Sequence, residues 1–336
     1  MARPQDHPPI ADPKIGVLLV NLGSPDAPTK AAVKRYLAEF LSDRRVIEIP
    51  PIAWQPILRG IILNTRPKKS AALYASIWDH KRGGSPLKLI TEDQTAALAA
   101  TLPGVLVDHA MRYGAPAIAE RLTAMKDAGC DRILICPMYP QYSAATTATV
   151  IDKASETLGK MRWQPSLRTV PPWYDDPLYI DALAKDVNDQ VAALDFEPDE
   201  IIVTFHGMPA RTLSLGDPYH CHCQKTSRLL GEKLARPYRT VFQSRFGPAA
   251  WLQPYLDKTL AALPSEGVRK IAVVAPGFVA DCLETLEEIA GEGKELFMQA
   301  GGTDFAYLAC LNARAHGIEL LASLVKRELG GWIETG

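Results

Sequence analysis

What the chain lacks narrows it first. Its 37 Lys and Arg stand against 38 Asp and Glu in 336 residues, a formal net charge of -1. Without a basic excess there is no electrostatic footprint for nucleic acid, and no such partner is expected. Long hydrophobic runs are missing too: stretches such as 271–280 are about half the length that spans a bilayer. The first thirteen residues hold one Arg, several prolines and no apolar segment, so neither a secretory signal nor a transit peptide is expected. The cytoplasm is the expected location. H-E-x-x-H, Walker A, G-x-S-x-G and a full G-x-G-x-x-G are all absent, so hydrolysis, phosphoryl transfer and dinucleotide redox chemistry lack their usual marks. Cysteines are few: Cys130, Cys136, Cys221, Cys223, Cys282 and Cys310, with only Cys221-His222-Cys223 clustered. In a large chain without an export signal this points to reduced thiols or metal ligands, not disulfides.

What is present is an ordinary globular composition, 47% hydrophobic and 22% charged, long enough for one large domain or two medium ones. Strand-like runs bounded by Gly, Pro, Asn or Ser occur at 15–20, 105–109, 133–136, 167–170, 201–205, 240–242, 271–275 and 305–308. Between them lie stretches such as 115–128 and 227–234 with the i, i+3, i+4 apolar spacing of helices resting on a sheet. That alternation predicts an α/β fold of βαβ units with parallel strands. An internal echo accompanies it. Val20-Asn21-Leu22-Gly23-Ser24-Pro25 and Ile135-Cys136-Pro137-Met138-Tyr139-Pro140 stand in the same order as Thr204-Phe205-His206-Gly207-Met208-Pro209 and Val274-Ala275-Pro276-Gly277-Phe278. Two related lobes are one reading of the echo, and chance similarity of strand-to-turn junctions is the other. The Pro-rich stretch 171–177 is the best candidate for a connection, and a cleft between lobes is a common place for a ligand.

Two segments could carry chemistry. The apolar run 201–205 delivers His206 into Gly207-Met208-Pro209, at the carboxyl end of a strand, where open α/β sheets bind ligands. The plainer alternative is a histidine satisfied by its own turn. Later, helical spacing puts Asp281, Glu284 and Glu288 on one face. Asp281 with Glu284 reads as a capping box favoured by the helix dipole, and a solvated acidic face would extend it to Glu288. A histidine and a carboxylate at facing strand ends suit metal handling or proton abstraction. Gly83-Gly84-Ser85-Pro86 is a Gly-rich turn before a helix and, alone, a weak anion signal.

Seven motifs appear in order: Leu19-Val20-Asn21-Leu22-Gly23-Ser24-Pro25, Gly83-Gly84-Ser85-Pro86-Leu87, Met111-Arg112-Tyr113, Pro140-Gln141-Tyr142-Ser143, Phe205-His206-Gly207-Met208-Pro209 with Gly216-Asp217-Pro218-Tyr219, Phe242-Gln243-Ser244-Arg245-Phe246-Gly247, and the segment 281–288. In these the chain resembles the ferrochelatases, which insert ferrous iron into a porphyrin in haem synthesis, from about residue 14 to about residue 324. The resemblance implies two similar flavodoxin-like, Rossmann-like lobes with parallel four-stranded sheets and a porphyrin cleft between them. It divides the chain into 1–172, 173–312 and a C-terminal helix in 313–336 returning to the first lobe.

The substrates it implies are Fe2+ and protoporphyrin IX. Two pyrrole protons must leave as the ion sheds water and enters a ring held distorted by its pocket. By resemblance His206 accepts protons and meets iron, Glu284 faces it across the cleft, and Glu288 extends a carboxylate path outward. Arg112 and Tyr113 are expected to contact the porphyrin or its carboxylates, and Tyr142 and Ser143 to line the pocket. For Gln243, Ser244 and Arg245 a structural role is as good a reading. Leu22 stands where the coproporphyrin-using branch tends to carry Tyr, which favours protoporphyrin. Cys282 stands where several relatives have His, so an iron relay through that side chain is not expected.

The apolar stretch 52–63 is by resemblance a pocket lip able to touch a membrane surface, and otherwise a buried helix. Some members bind a [2Fe–2S] cluster, often through a Cys-rich tail. Here Ala144 follows Ser143, the tail is lacking, and Cys221, Cys223, Cys282 and Cys310 are the remaining donors. No cofactor is expected for catalysis, and a monomer is expected. The alternatives are a coproporphyrin or other-metal chelatase, and a non-catalytic tetrapyrrole carrier or sensor.

Overall fold

The computed structural model describes residues 12–333. The expectation of a leader-free start concerns mainly residues 1–11, which lie outside them, as do residues 334–336 of the expected C-terminal segment. The first half runs β1 (Lys14–Asn21), α1 (Lys30–Phe40), α2 (Pro51–Ile57), α3 (Leu63–Ile77), α4 (Pro86–Ala100), β2 (Val105–Met111), α5 (Ile118–Asp127), β3 (Cys130–Pro137), α6 (Thr149–Leu158) and β4 (Ser166–Thr169). The second runs α7 (Pro177–Ala192), β5 (Glu200–His206), α8 (Arg211–Ser214), α9 (Tyr219–Leu234), β6 (Tyr238–Gln243), α10 (Leu256–Ala262), β7 (Lys270–Val274), α11 (Leu283–Leu286), α12 (Lys294–Gln299), β8 (Asp304–Leu308) and α13 (Ala315–Glu328).

Every expected strand run coincides with a strand or overlaps one. β1, β3, β5 and β7 are near-continuous apolar runs because helices cover both of their faces, whereas β2, β4, β6 and β8 are only partly buried. That division decides the topology. The first sheet has the order β2-β1-β3-β4 and the second β6-β5-β7-β8, all pairs parallel. Both are the flavodoxin-like arrangement, with the switch in strand order between the two central strands. The internal echo falls on equivalent places: β1 with β5, and β3 with β7. Two similar lobes are therefore the architecture.

The lobes share their interior. One cluster joins Val17, Leu19 and Leu134 of the first sheet to Val203, Phe205 and Ala272 of the second, with Tyr179 and Leu183 of α7 and Leu321 and Leu324 of α13 in it. Helix α13 packs on α4, α7 and β3. Asp176 caps α7 by accepting from the Leu178 N–H at 2.9 Å and also pairs with Arg327 of α13 at 2.6 Å. The Pro-rich connection is packed down, with Trp173 edge-to-face on Tyr179 at 4.8 Å between centroids.

Three local expectations are corrected. Helix α9 begins at Tyr219, eight residues before the apolar periodicity starts, because its first turns mix His and Cys with polar residues and are buried only in part. The buried-helix reading of 52–63 fails: Leu58 and Leu63 face inward, but Ile52, Ile57 and Ile61 are 90%, 42% and 58% exposed. The third, the cap of α11, belongs to the site below. Among the described residues no helix is long and apolar enough to cross a membrane.

The carboxyl end of β1 leaves no room for a side chain. Arg112 and Tyr113 donate backbone N–H groups to the Asn21 and Leu22 carbonyls at 2.8 and 2.9 Å, and a Cβ on Gly23 would lie 1.9 Å from the Tyr113 carbonyl oxygen. Gly23 also has φ +103°, where an L side chain is strained. Gly23→Ala should lose about 2 kcal/mol or more of stability in urea unfolding. An unchanged midpoint would contradict this packing.

Candidate active site

His206 closes β5 and stands in register with Gln243 of β6. Its Nδ1 lies 2.7 Å from the Gly207 carbonyl oxygen. A carbonyl can only accept, so Nδ1 donates to it, and in the neutral ring Nε2 holds the lone pair. The two sequence readings of this histidine therefore both hold: its own turn satisfies one nitrogen and leaves the other open. Among the described residues Nε2 makes no hydrogen bond. The backbone is fixed as well, with the Tyr219 hydroxyl donating to the His206 carbonyl at 3.0 Å and the Gly207 N–H donating to the Gln243 carbonyl at 2.7 Å.

The acidic segment departs from its sequence reading. The cap of α11 is Cys282, whose N–H donates to the Thr285 hydroxyl at 3.0 Å, so Asp281 and Glu284 form no capping box. Asp281 instead accepts from the Tyr307 hydroxyl at 2.5 Å, the Asn312 amide at 2.6 Å and the Thr285 hydroxyl at 3.2 Å, which anchors the loop to the end of β8. Tyr307 and Asn312 lie 26 and 31 residues away, beyond any local rule. Helix α11 lasts one turn and passes into a π-helical turn over Glu288–Gly293.

Glu284 and Glu288 are nevertheless tied to the end of β6, the strand paired with that of His206. The Gln243 side-chain amide donates to the Glu284 carbonyl at 2.9 Å and to the Glu288 carboxylate at 3.3 Å. Ser244 adds its N–H at 2.8 Å and its hydroxyl to the same carboxylate. Burial pushes the Glu288 carboxyl above the usual range, against the pull of the Ser244 hydroxyl and of His206. Glu284 lines a narrow recess with Leu22, Tyr74, Ser85 and Cys282, which brings the end of β1 against the segment after β7. Its volume of about 10 Å³ admits a water-sized group and not a macrocycle. Ser85 is not offered to an anion there: it caps α4 and shares a hydrogen with Ser24 at 2.5 Å.

The remaining expected contacts are corrected in part. Arg112 is ion-paired with Asp43, donates to the Thr149 hydroxyl at 2.6 Å and lies over the Tyr113 ring at 4.3 Å. Tyr113 is 0% exposed and its hydroxyl donates to Asp43 at 2.8 Å. Both side chains are thus bonded to Asp43, in the segment ahead of α2. Ser143 is likewise 0% exposed, and its hydroxyl and the Ala144 N–H donate to Asp217 of the other lobe at 3.1 and 2.8 Å. The Tyr142 N–H donates to Nδ1 of His222, which stacks on Tyr174 at 3.5 Å and whose pKa burial lowers. Only the half-buried Tyr142 side chain of these four is uncommitted.

The cysteines do not fit a four-thiolate cluster. Cys221 and Cys223 are two apart on α9 and so point to different faces, one exposed and one buried. Burial pushes the Cys223, Cys282 and Cys310 thiols well up, which disfavours the thiolate a cluster needs. Sequence reasoning missed Asp43 and Asp217 as organising residues. The structural reading of Gln243 and Ser244 matches their bonds to Glu284 and Glu288 from the end of β6.

A sequence profile of the family described as Ferrochelatase matches residues 14–329. A protein named ferrochelatase from Agrobacterium fabrum is 54% identical over 338 residues, 99% of this chain and 98% of the relative. One from Rhizobium meliloti is 55% identical over 334 residues, covering 98% of each. Among solved structures, SirB from Bacillus subtilis with Fe3+ superposes with a TM-score of 0.57 at 13% identity, covering 95% of this chain and 97% of that one. SirB from Bacillus subtilis subspecies spizizenii in complex with cobalt gives 0.56 at 10% identity, covering 94% and 95%. At that identity the likeness is one of fold.

Asp43 provides a test of the network. Burial pushes its carboxyl up, but hydrogen bonds from Thr149, the Arg45 N–H and Tyr113, with the Arg112 charge, hold it below the usual range. A depressed carboxyl pKa contributes its stability in full above the unfolded value near 4 and loses it as pH falls through the folded value. Asp43→Asn should cost about 3 kcal/mol near neutral pH by stranding the Arg112 charge. The difference should shrink on acidification below about pH 4. A pH-independent difference in urea unfolding would contradict the pairing.

Proposed function

The chain belongs to the ferrochelatase family and is a porphyrin metal chelatase of haem biosynthesis, and from that premise we propose that His206, Glu284 and Glu288 carry out the insertion of Fe2+ into protoporphyrin IX. The observation that carries the assignment is the free Nε2 of His206 at the end of β5, with the acidic segment of Glu284 and Glu288 bonded to Gln243, its register partner on β6. Porphyrin and Fe2+ give haem and two protons, so the site needs proton acceptors beside a place for a dication. His206 Nε2 accepts a pyrrole proton or donates its lone pair to the entering ion. Glu284 offsets the ion's charge from the opposite side. Glu288, its pKa raised by burial, is matched to taking up a proton and passing it outward.

Leu22 beside Glu284 supports protoporphyrin over coproporphyrin, since an apolar side chain suits a vinyl edge and offers no hydrogen bond to an additional carboxylate. Tyr142 is the remaining candidate for ring contact, while Arg112, Tyr113 and Ser143 act by holding the walls. Residues of both lobes of one chain supply every group named, which supports a monomer. The misfit of the cysteines supports catalysis without a resident cofactor. Six free cysteines suit the reducing cytoplasm. The exposed Ile52, Ile57 and Ile61 support peripheral contact of this lip with a membrane surface.

In an anaerobic Fe2+ insertion assay, His206→Ala and Glu284→Gln should each lower kcat about 100-fold or more while protoporphyrin still binds. Wild-type turnover by His206→Ala would sink the assignment. Coproporphyrin should be the poorer substrate, and equal kcat/KM for the two would remove the role given to Leu22.

A further inference from the structure

Gln243 and Ser244 are given no step of the insertion themselves, yet both side chains converge on one carboxylate. Ser244 has φ +61°, in the left-handed region that a residue other than glycine rarely adopts. That backbone turns its N–H and its hydroxyl the same way, and both donate to Glu288, the N–H at 2.8 Å. Gln243 is buried, and the hydroxyl of the buried Thr204 donates to its Oε1 at 3.0 Å. This leaves its Nε2 to face the Glu284 carbonyl and the Glu288 carboxylate. Glu288 needs such holding because it opens a π-helical turn, where regular helix geometry does not set its direction.

We propose that Ser244 and Gln243 are positioning residues that hold the Glu288 carboxylate in place relative to His206, so that the outward proton acceptor is preorganised before the porphyrin binds. The pairing of β5 with β6, with His206 opposite Gln243, supplies the common frame. A strained backbone at a functional site is kept where the surroundings over-determine it, and here four hydrogen bonds from two adjacent residues do so. The inference rests on reading Glu288 as part of the proton path.

Ser244→Gly is the sharp variant, because glycine adopts the left-handed backbone freely and only the hydroxyl is lost. It should lower kcat for Fe2+ insertion about tenfold with KM for protoporphyrin unchanged. Glu288→Gln should be at least as slow, and adding Ser244→Gly to it should have no further effect, since two residues acting through one contact are not additive. Independent, multiplying effects would overturn the proposal. So would a Ser244→Gly protein with a lower Tm and wild-type kcat, which is the behaviour of a merely structural residue. An impaired Glu288→Gln beside an intact Ser244→Gly would overturn the positioning role alone. Wild-type kcat in Glu288→Gln would overturn the role of Glu288 and the positioning role with it.

Discussion

The Gly207 N–H donates to the Gln243 carbonyl at 2.7 Å, one residue beyond the last strand pair of β5 and β6. A Cβ on Gly207 would lie 2.6 Å from that carbonyl oxygen, so the bond requires glycine there. It holds the turn after His206 against β6 and fixes the carbonyl that selects the histidine tautomer. The same Gln243 reaches Thr204, Glu284 and Glu288 through its side chain. Two strands and the acidic segment are thereby set from one position. Each net hydrogen bond contributes only about 1 kcal/mol to stability, so this network matters less for how tightly the protein folds than for where its reactive groups sit.

Stability comes from the apolar interior shared by the two lobes, while polar contacts set how the lobes meet. Gln94 of α4 donates to the Val279 and Asn312 carbonyls at 3.0 Å each, and Gln141 donates to the Thr226 hydroxyl at 3.0 Å. Asp217 holds the loop after β3, and Asp43 holds the segment leading into the apolar lip. Burying groups such as Ser143 and Gln141 is tolerable only because each is bonded across the junction.

The fold was largely legible in the sequence because central strands covered on both faces must be apolar, and four such runs stood between punctuating Gly and Pro residues. The echo between strand ends left two related lobes or chance open, and the duplicated sheets decide for the lobes. His206 was legible for the same reason, as the residue on which an apolar run stops. Glu284 was not: its local surroundings read as a helix cap, and only the resemblance singled it out. The cap itself was misread, since Asp281 answers to Tyr307 and Asn312 across the sheet edge. Arg112 and Tyr113 were expected at the porphyrin by resemblance alone, and their bonds to Asp43 were not readable, because it lies about seventy residues earlier in a segment with no pattern of its own. Contacts of that range leave no periodicity to read.

The central claim is that the open nitrogen of His206 takes part in exchanging two protons for iron. Chemical rescue tests it most directly: anaerobic Fe2+ insertion by His206→Ala, followed with and without free imidazole, with porphyrin binding measured separately by fluorescence. If the ring acts as a base or ion ligand, porphyrin still binds, insertion is lost, and imidazole restores a part of it that grows with imidazole concentration. Insertion at the wild-type rate without imidazole, or loss of porphyrin binding as the sole defect, would contradict that role.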